Sequence, residues 1–207
     1  CSAWYTPLIL ERSGVGRRSK VLGKRMTLHP GFRMMARFDE DVRGWHGAMQ
    51  SAFTDAFEDQ GATLVSVFIP PSVIAATMPG IGPSHHERAE QLPHIAMFGG
   101  MIHDEGGGTV RRGLGREPIV TYRMAREDRP KVTAILRALG DTYLAAGARE
   151  IFPPLLGLAK GMTPDEFRKL DIDAIPMSRF ETSSQHPLGT ARMGKDPVNA
   201  VVDADGR

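Results

Sequence analysis

"PHIAMFGGMIHDEGGGTVRR", Pro93 to Arg112, decides how this chain reads as a fold. β-prone residues flank a cluster of Asp, Glu and Gly, so the stretch reads as two strands joined by a turn at Asp104 to Gly108. "EPIVTYRM", Glu117 to Met124, adds a third strand. A helix is expected next, because Asp128 can cap it, Pro130 suits its first turn, and Val132, Ile135, Leu136, Leu139 and Tyr143 share one face until Gly147. Strands followed by an amphipathic helix place the middle of the chain in the α+β class, an antiparallel sheet flanked by helices.

Outward from this core, "YTPLILERSGVG" (Tyr5 to Gly16) predicts a short helix, with Thr6 as its cap, Pro7 at its first position and Gly14 just past its end. Gly31 to Phe38 reads as extended, and "TLVSVFIPP", Thr63 to Pro71, as a strand stopped by proline. Between them, Trp45, Met49, Phe53 and Phe57 recur every fourth residue, which predicts a helix within Val42 to Asp59. Pro79 to Pro83 marks a loop, and "TPDEFRKL", Thr163 to Leu170, a short capped helix. There is no internal repeat and no low-complexity tract.

Bulk composition narrows the function classes. With 207 residues, 41% hydrophobic and 24% charged, the chain can bury a core and has the composition of neither a disordered nor a membrane protein. A net charge of +2 argues against a dedicated nucleic-acid binder, and the run Arg17, Arg18, Lys20, Lys24, Arg25 reads as a solvated loop. No apolar stretch approaches a transmembrane span. The single cysteine excludes an internal disulfide framework. The chain opens Cys1-Ser2-Ala3-Trp4 without methionine and stops after a strand-like run and an Asp-Gly turn, so an internal fragment is expected. Its compartment is left open.

Several constellations could carry chemistry. Three Gly-x-Gly triplets begin at Gly14, Gly80 and Gly113, but the third glycine of a dinucleotide fingerprint is replaced by Ser19, His85 or Pro118. His85, His86, Glu87 and His94 match no familiar metal spacing and lie in Gly/Pro-rich text that suggests an exposed loop, so no metal is expected. His103 beside Asp104 and Glu105 reads as turn chemistry, and His29 and His46 offer nothing more specific. Cys1 could be an amino-terminal nucleophile of a hydrolase. Ser183 and Ser184 lack the Gly-x-Ser-x-Gly elbow of a Ser-His-Asp hydrolase. His186 remains, in "SSQHPLGTARMG", as either a polar loop residue or an active-site base.

Two stretches tip that balance. "SSQHPLGTARMGKDPVNAVVDADGR", Ser183 to Arg207, resembles the carboxy-terminal signature of the glucose-methanol-choline (GMC) family of FAD-dependent oxidoreductases, with His-x-x-Gly-Thr, Met-Gly and Val-Val-Asp in order. "SAWYTPLILERSGVG", Ser2 to Gly16, resembles the family's central motif, and "LGKRMTLHP" follows where the family has Gly, a basic residue and a His-Pro pair. "AMFGGMIHDEGGGTVRR" and "YRMAREDRPKV" further resemble the long-chain alcohol oxidase branch.

The resemblance implies a substrate domain made of a sheet flanked by helices, together with segments of a discontinuous FAD-binding α/β domain. Residues 1–30 would belong to the FAD domain, 31–181 to the substrate domain, and 182–207 to the returning active-site segment. It implies FAD as cofactor, a small-molecule alcohol as substrate, and an electron acceptor, oxygen or another. His186 takes the position of the family's active-site histidine, which accepts the hydroxyl proton while hydride passes to flavin N5. Histidine suits this work because it titrates near neutral pH. Gly189 and Thr190 would let the backbone approach the flavin, and Ser2 and Ala3 would pass near its adenosine half, with Ser2 standing where glycine is common. The second active-site residue and the main FAD loop are expected outside these 207 residues. A non-catalytic binding module built on the same fold, and a hydrolase using Cys1, are the alternatives.

Overall fold

In the computed structural model the described residues are 2–48, 50–67 and 69–207. In chain order they form α1 (Thr6–Arg12), β1 (Lys24–Met26), β2 (Gly31–Arg37), β3 (Phe53–Thr54), β4 (Ala62–Ser66), α2 (Pro71–Thr77), α3 (Pro83–Glu90), β5 (Ile95–Ile102), β6 (Gly107–Arg112), β7 (Pro118–Arg123), α4 (Arg129–Ala145), β8 (Glu150–Phe152) and α5 (Pro164–Arg168). The strands make two separate sheets, ordered β1-β6-β7 and β3-β4-β5-β2-β8, and every pairing within them is antiparallel. The α+β class expected from sequence is the class found.

By contacts the chain divides into two units, each holding one sheet. The first comprises Cys1–His29, Asp104–Asp128 and Ser184–Arg207, and the second Pro30–His103 and Arg129–Ser183. The chain thus changes unit at Asp104 and again at Arg129, inside the stretch 31–181 that the sequence treats as one domain.

The second unit is organised by α4. Its apolar stripe is buried as the spacing predicts, with Val132, Ile135, Leu136, Leu139 and Tyr143 each no more than 4% exposed. On β2 the alternation of strand geometry sends Phe32, Met34 and Ala36 into the core. The Tyr143 hydroxyl donates to the Met34 carbonyl at 2.8 Å, satisfying a phenol that would otherwise be stranded in the core. Helix α5 begins with the expected capping box: Thr163 accepts from the Glu166 N–H at 3.3 Å, and the Glu166 carboxylate accepts from the Thr163 N–H at 2.7 Å.

Helix α4 contacts α5 through Gly140, where a Cβ would lie 2.0 Å from Cε1 of the buried Phe167. Gly140→Ala should gain up to about 1 kcal/mol of helix propensity. Overpacking against a ring with nowhere to go should outweigh that gain and leave the protein about 1–2 kcal/mol less stable. A raised denaturation midpoint for Gly140→Ala would contradict this packing.

The first unit is built on the β6–β7 hairpin, whose registers run from Gly107↔Arg123 to Arg112↔Pro118, with β1 added on the far side of β6. Helix α1 starts at Thr6, with Tyr5 rather than Thr6 at the cap position and Pro7 in its first turn. The basic residues Arg17, Arg18, Lys20, Lys24 and Arg25 are all exposed.

Four local expectations are corrected. Strands β5 and β6 do not pair with each other: β5 lies between β4 and β2, β6 between β1 and β7. Instead of turning back, the chain at Asp104–Glu105 is held by side-chain bonds, with the Glu105 N–H donating to Asp128 at 2.9 Å. No α-helix forms within Val42 to Asp59 among the described residues, only the start of a 3-10 turn at Glu58–Gln60, because Arg43, Gly47 and Gln50 adopt φ of 40, 101 and 50°, which a right-handed helix forbids. Phe53 of that stripe lies in β3 opposite Val65 and is 73% exposed, while Met49 lies outside the described residues. The strand expected over Thr63 to Pro71 ends at Ser66, and Pro71 opens α2 instead, a position proline favours. His85, His86 and Glu87 sit on α3, where Pro83 plays the same initiating role.

Candidate active site

The site grows from one backbone bridge in the first unit. Thr27 and Leu188 exchange both N–H···O bonds, at 3.1 and 3.0 Å, which lays the segment of β1's exit antiparallel to the segment carrying His186. Two residues beyond that bridge in each direction stand His29 and His186. Their rings meet edge to face, 6.3 Å between centroids and 82° between planes. Pro30 and Pro187 follow the two histidines.

Ser184 laces the same two segments together. Its hydroxyl donates to the Leu28 carbonyl, and its Oγ accepts the His186 N–H at 3.3 Å. The hydroxyl is therefore not directed at the His186 ring as a nucleophile. Ser183 exchanges backbone bonds with Gly31 in the second unit.

His29 is half-buried and has a φ of 52°, the left-handed region that costs a non-glycine residue free energy. Its N–H donates to Asp104 Oδ1 at 3.3 Å, and Tyr122 donates its hydroxyl to Asp104 Oδ2 at 2.5 Å. Burial, then the hydrogen bond to Asp104, push the Tyr122 phenol far above its ordinary value, so it stays a donor. Asp128, 0% exposed, accepts from the N–H groups of Glu105 and Ala125 at 2.9 Å each, fixing both ends of the β6–β7 excursion.

The chain has three tyrosines, and all are shifted the same way: Tyr5 by its bond to Glu117, Tyr122 as above, and Tyr143 by burial. A phenol whose pKa is raised on folding contributes stability that is present below the unfolded value of 10.0 and lost as pH rises above it. The tyrosinate absorbance of Tyr122 and Tyr143 should therefore develop above the ordinary value and together with unfolding. A titration complete at the ordinary value, with the fold intact, would contradict the Tyr122 and Tyr143 environments.

The other expected residues also lie in the first unit. Thr190, 2% exposed, donates its hydroxyl to the Ala3 carbonyl at 2.6 Å, joining residues 187 positions apart. Its carbonyl accepts from the Gly23 N–H at 2.8 Å. The Ser2 carbonyl accepts from Tyr5 and Thr6, and its hydroxyl accepts from the Trp4 N–H at 3.3 Å. Gly189 has a φ of 86°, and a Cβ there would lie 2.3 Å from the Arg25 carbonyl oxygen, so the close approach it permits is to the chain's own backbone. Ser2, Ala3, Gly189 and Thr190 thus come together, and His186 lies three residues before Gly189 on the same segment.

The remaining histidines have local partners. His85 Nδ1 lies 3.2 Å from the Met78 carbonyl, His86 pairs with Glu90 at 3.2 Å, and His94 Nδ1 lies 2.9 Å from the Glu40 carbonyl. Among the described residues no group of three or more His, Cys, Asp or Glu side chains is placed to hold a metal ion. Among them, too, no helix is long and apolar enough to cross a membrane. The Cys1 nucleophile reading falls outside the described residues. His29, Asp104 and Tyr122 join the site only through the fold. The His-Pro pair at His29 was the signal for the first, and the other two gave none.

Residues 114–207 match the family model described as GMC oxidoreductase. These residues are of the GMC oxidoreductase family. An uncharacterized GMC-type oxidoreductase of Mycobacterium tuberculosis is 36% identical over 206 residues, 99% of this chain and 32% of its own length. Another, from Sinorhizobium fredii, is 28% identical over 99% of this chain and 40% of its own length. A long-chain-alcohol oxidase of Arabidopsis thaliana is 24% identical over 229 aligned positions, 29% of that protein. The GMC relatives therefore extend the similarity across nearly the whole chain, which spans about a third of the length of the first of them. The flanked antiparallel sheet of the second unit agrees with a GMC carboxy-terminal substrate domain.

Proposed function

We propose that this chain is part of an FAD-dependent oxidoreductase that oxidises an alcohol to a carbonyl, with His186 as general base. The observation that supports the reading is the Thr190–Ala3 hydrogen bond, which joins the two stretches that resemble the family signatures, the second of which carries His186. In this reading the first unit contributes the FAD-side segments and the second the substrate domain.

The four cofactor candidates fit FAD in two different ways. Ser2 and Gly189 are exposed and can be approached by a bound group. Thr190 is buried and its hydroxyl is engaged by Ala3, so these two brace the surface rather than touch the cofactor. Bound FAD would supply the hydride acceptor.

The chain's own part in the reaction is a proton transfer. An alcohol releases hydride far more readily as its hydroxyl proton departs, and the exposed imidazole of His186 is accessible to accept it. Acceptance of that proton by a positioned base is worth about 10²–10⁴-fold in rate. A long-chain alcohol is the first substrate to test, since two relatives bear that name at 24% identity.

The test is anaerobic. The full-length protein containing this chain should be purified, its visible absorption recorded, and dodecanol and shorter alcohols added without oxygen. Flavin bands that bleach establish alcohol oxidation at a flavin. A folded protein that stays colourless with added FAD would defeat the reading and favour a binding module.

A further inference from the structure

We propose that His29 is a positioning residue for His186, holding the exposed imidazole by its ring edge in the one orientation from which it can take the substrate proton. The inference rests on the general-base reading above and goes beyond it, because the His-Pro resemblance at His29 carries no role for its side chain.

Three observations carry it. The first is register. The isolated two-bond bridge Thr27↔Leu188 lays the two segments antiparallel, and His29 and His186, each two residues beyond it, are thereby brought within reach of one another. The second is the contact itself, 6.3 Å and nearly perpendicular, the edge-to-face arrangement that aromatic rings prefer to a stacked one.

The third is that His29 is held harder than His186. His186 is exposed, and its N–H bond to Ser184 restrains its backbone but not its ring. His29 is half-buried at a φ of 52°, with its N–H on Asp104 and Asp104 in turn bound by the Tyr122 hydroxyl at 2.5 Å. A left-handed non-glycine residue persists only where its surroundings over-determine it, and Asp104, Tyr122 and Pro30 supply those surroundings. The strain therefore sits on the residue that must stay fixed, leaving His186 accessible to substrate but with one face of its rotation blocked.

Such a residue acts through another, so its loss should appear in the chemical step and not in binding. In the full-length protein, His29→Ala should lower the limiting rate of anaerobic flavin reduction by dodecanol about tenfold to a hundredfold, the usual cost of a misplaced reacting group. The dissociation constant for dodecanol and the flavin content should stay unchanged. His29→Phe keeps a ring edge at the same place without a titratable nitrogen, and should restore most of the rate.

His29→Leu, which fills the volume without the ring, should behave like His29→Ala and serves if the alanine variant does not fold. Wild-type reduction rates in His29→Ala or His29→Leu, alongside a large loss in His186→Ala, would overturn the positioning role while leaving the base intact. A His29→Phe variant as slow as His29→Ala would also overturn it, since the nitrogen rather than the ring edge would then matter. If His186→Ala itself reduces normally, the general-base reading fails and this proposal with it.

Discussion

His186→Ala in the full-length protein is expected to keep its flavin and lose about 10²–10⁴-fold in alcohol-driven flavin reduction, the range that a positioned general base contributes. The side chain is exposed, so its removal opens no cavity. The bonds that shape the segment use the backbone of residue 186 and the side chain of Ser184, and the substitution leaves both in place. Thr190, which joins the segment to Ala3, is four residues further on and also unaffected. Stability and flavin absorption should therefore match the parent while the reduction rate collapses. Rapid-mixing absorbance with dodecanol reads the rate directly. A variant that reduces its flavin at close to the parental rate would return His186 to the status of a polar loop residue.

Asp128→Ala should cost about 3–5 kcal/mol of stability, from the loss of its charge-assisted hydrogen bonds to the Glu105 and Ala125 N–H groups. The Asp128 carboxylate is 0% exposed and takes the N–H groups of Glu105 and Ala125, one at each end of the strands between them. Alanine fills neither oxygen's place, and both N–H groups would be left without the acceptor they have now. Since Glu105 follows Asp104, the loss should also loosen the anchor of His29. Asp128→Asn, which retains one acceptor oxygen, should fall between. The shift in urea midpoint for the two variants checks the order, and an Asp128→Ala protein as stable as its parent would refute the role assigned to this carboxylate.

Much of the fold was legible because some signals are local. The stripe on α4 needs only its own spacing to declare a buried face, and Pro130 and Gly147 bound it. The Thr163 and Glu166 capping box is complete within four residues. Where a pattern depended on distant partners, local reading failed. The spacing of Trp45, Phe53 and Phe57 imitates a helix, but glycines and left-handed residues break the backbone that would display it. The strands on either side of Asp104 look like a hairpin, and each is claimed by a different sheet. The site was half legible in the same sense. His186, Gly189 and Thr190 stand in one recognisable run, whereas Asp104 and Tyr122 matter only through a carboxylate that meets residues 75 and 18 positions away.

The sequence alone determined the α+β class, the main helix, the family resemblance and the histidine to test, because periodicity, caps and signatures are properties of neighbouring residues. Tertiary structure alone decided which strands pair, that Gly189 yields to the Arg25 carbonyl, that Thr190 clasps Ala3, and that His29 faces His186. The contacts of Gly189, Thr190 and His29 depend on chain closure between segments more than a hundred residues apart. Backbone hydrogen bonds that must find partners, and not any local preference, select which closure forms.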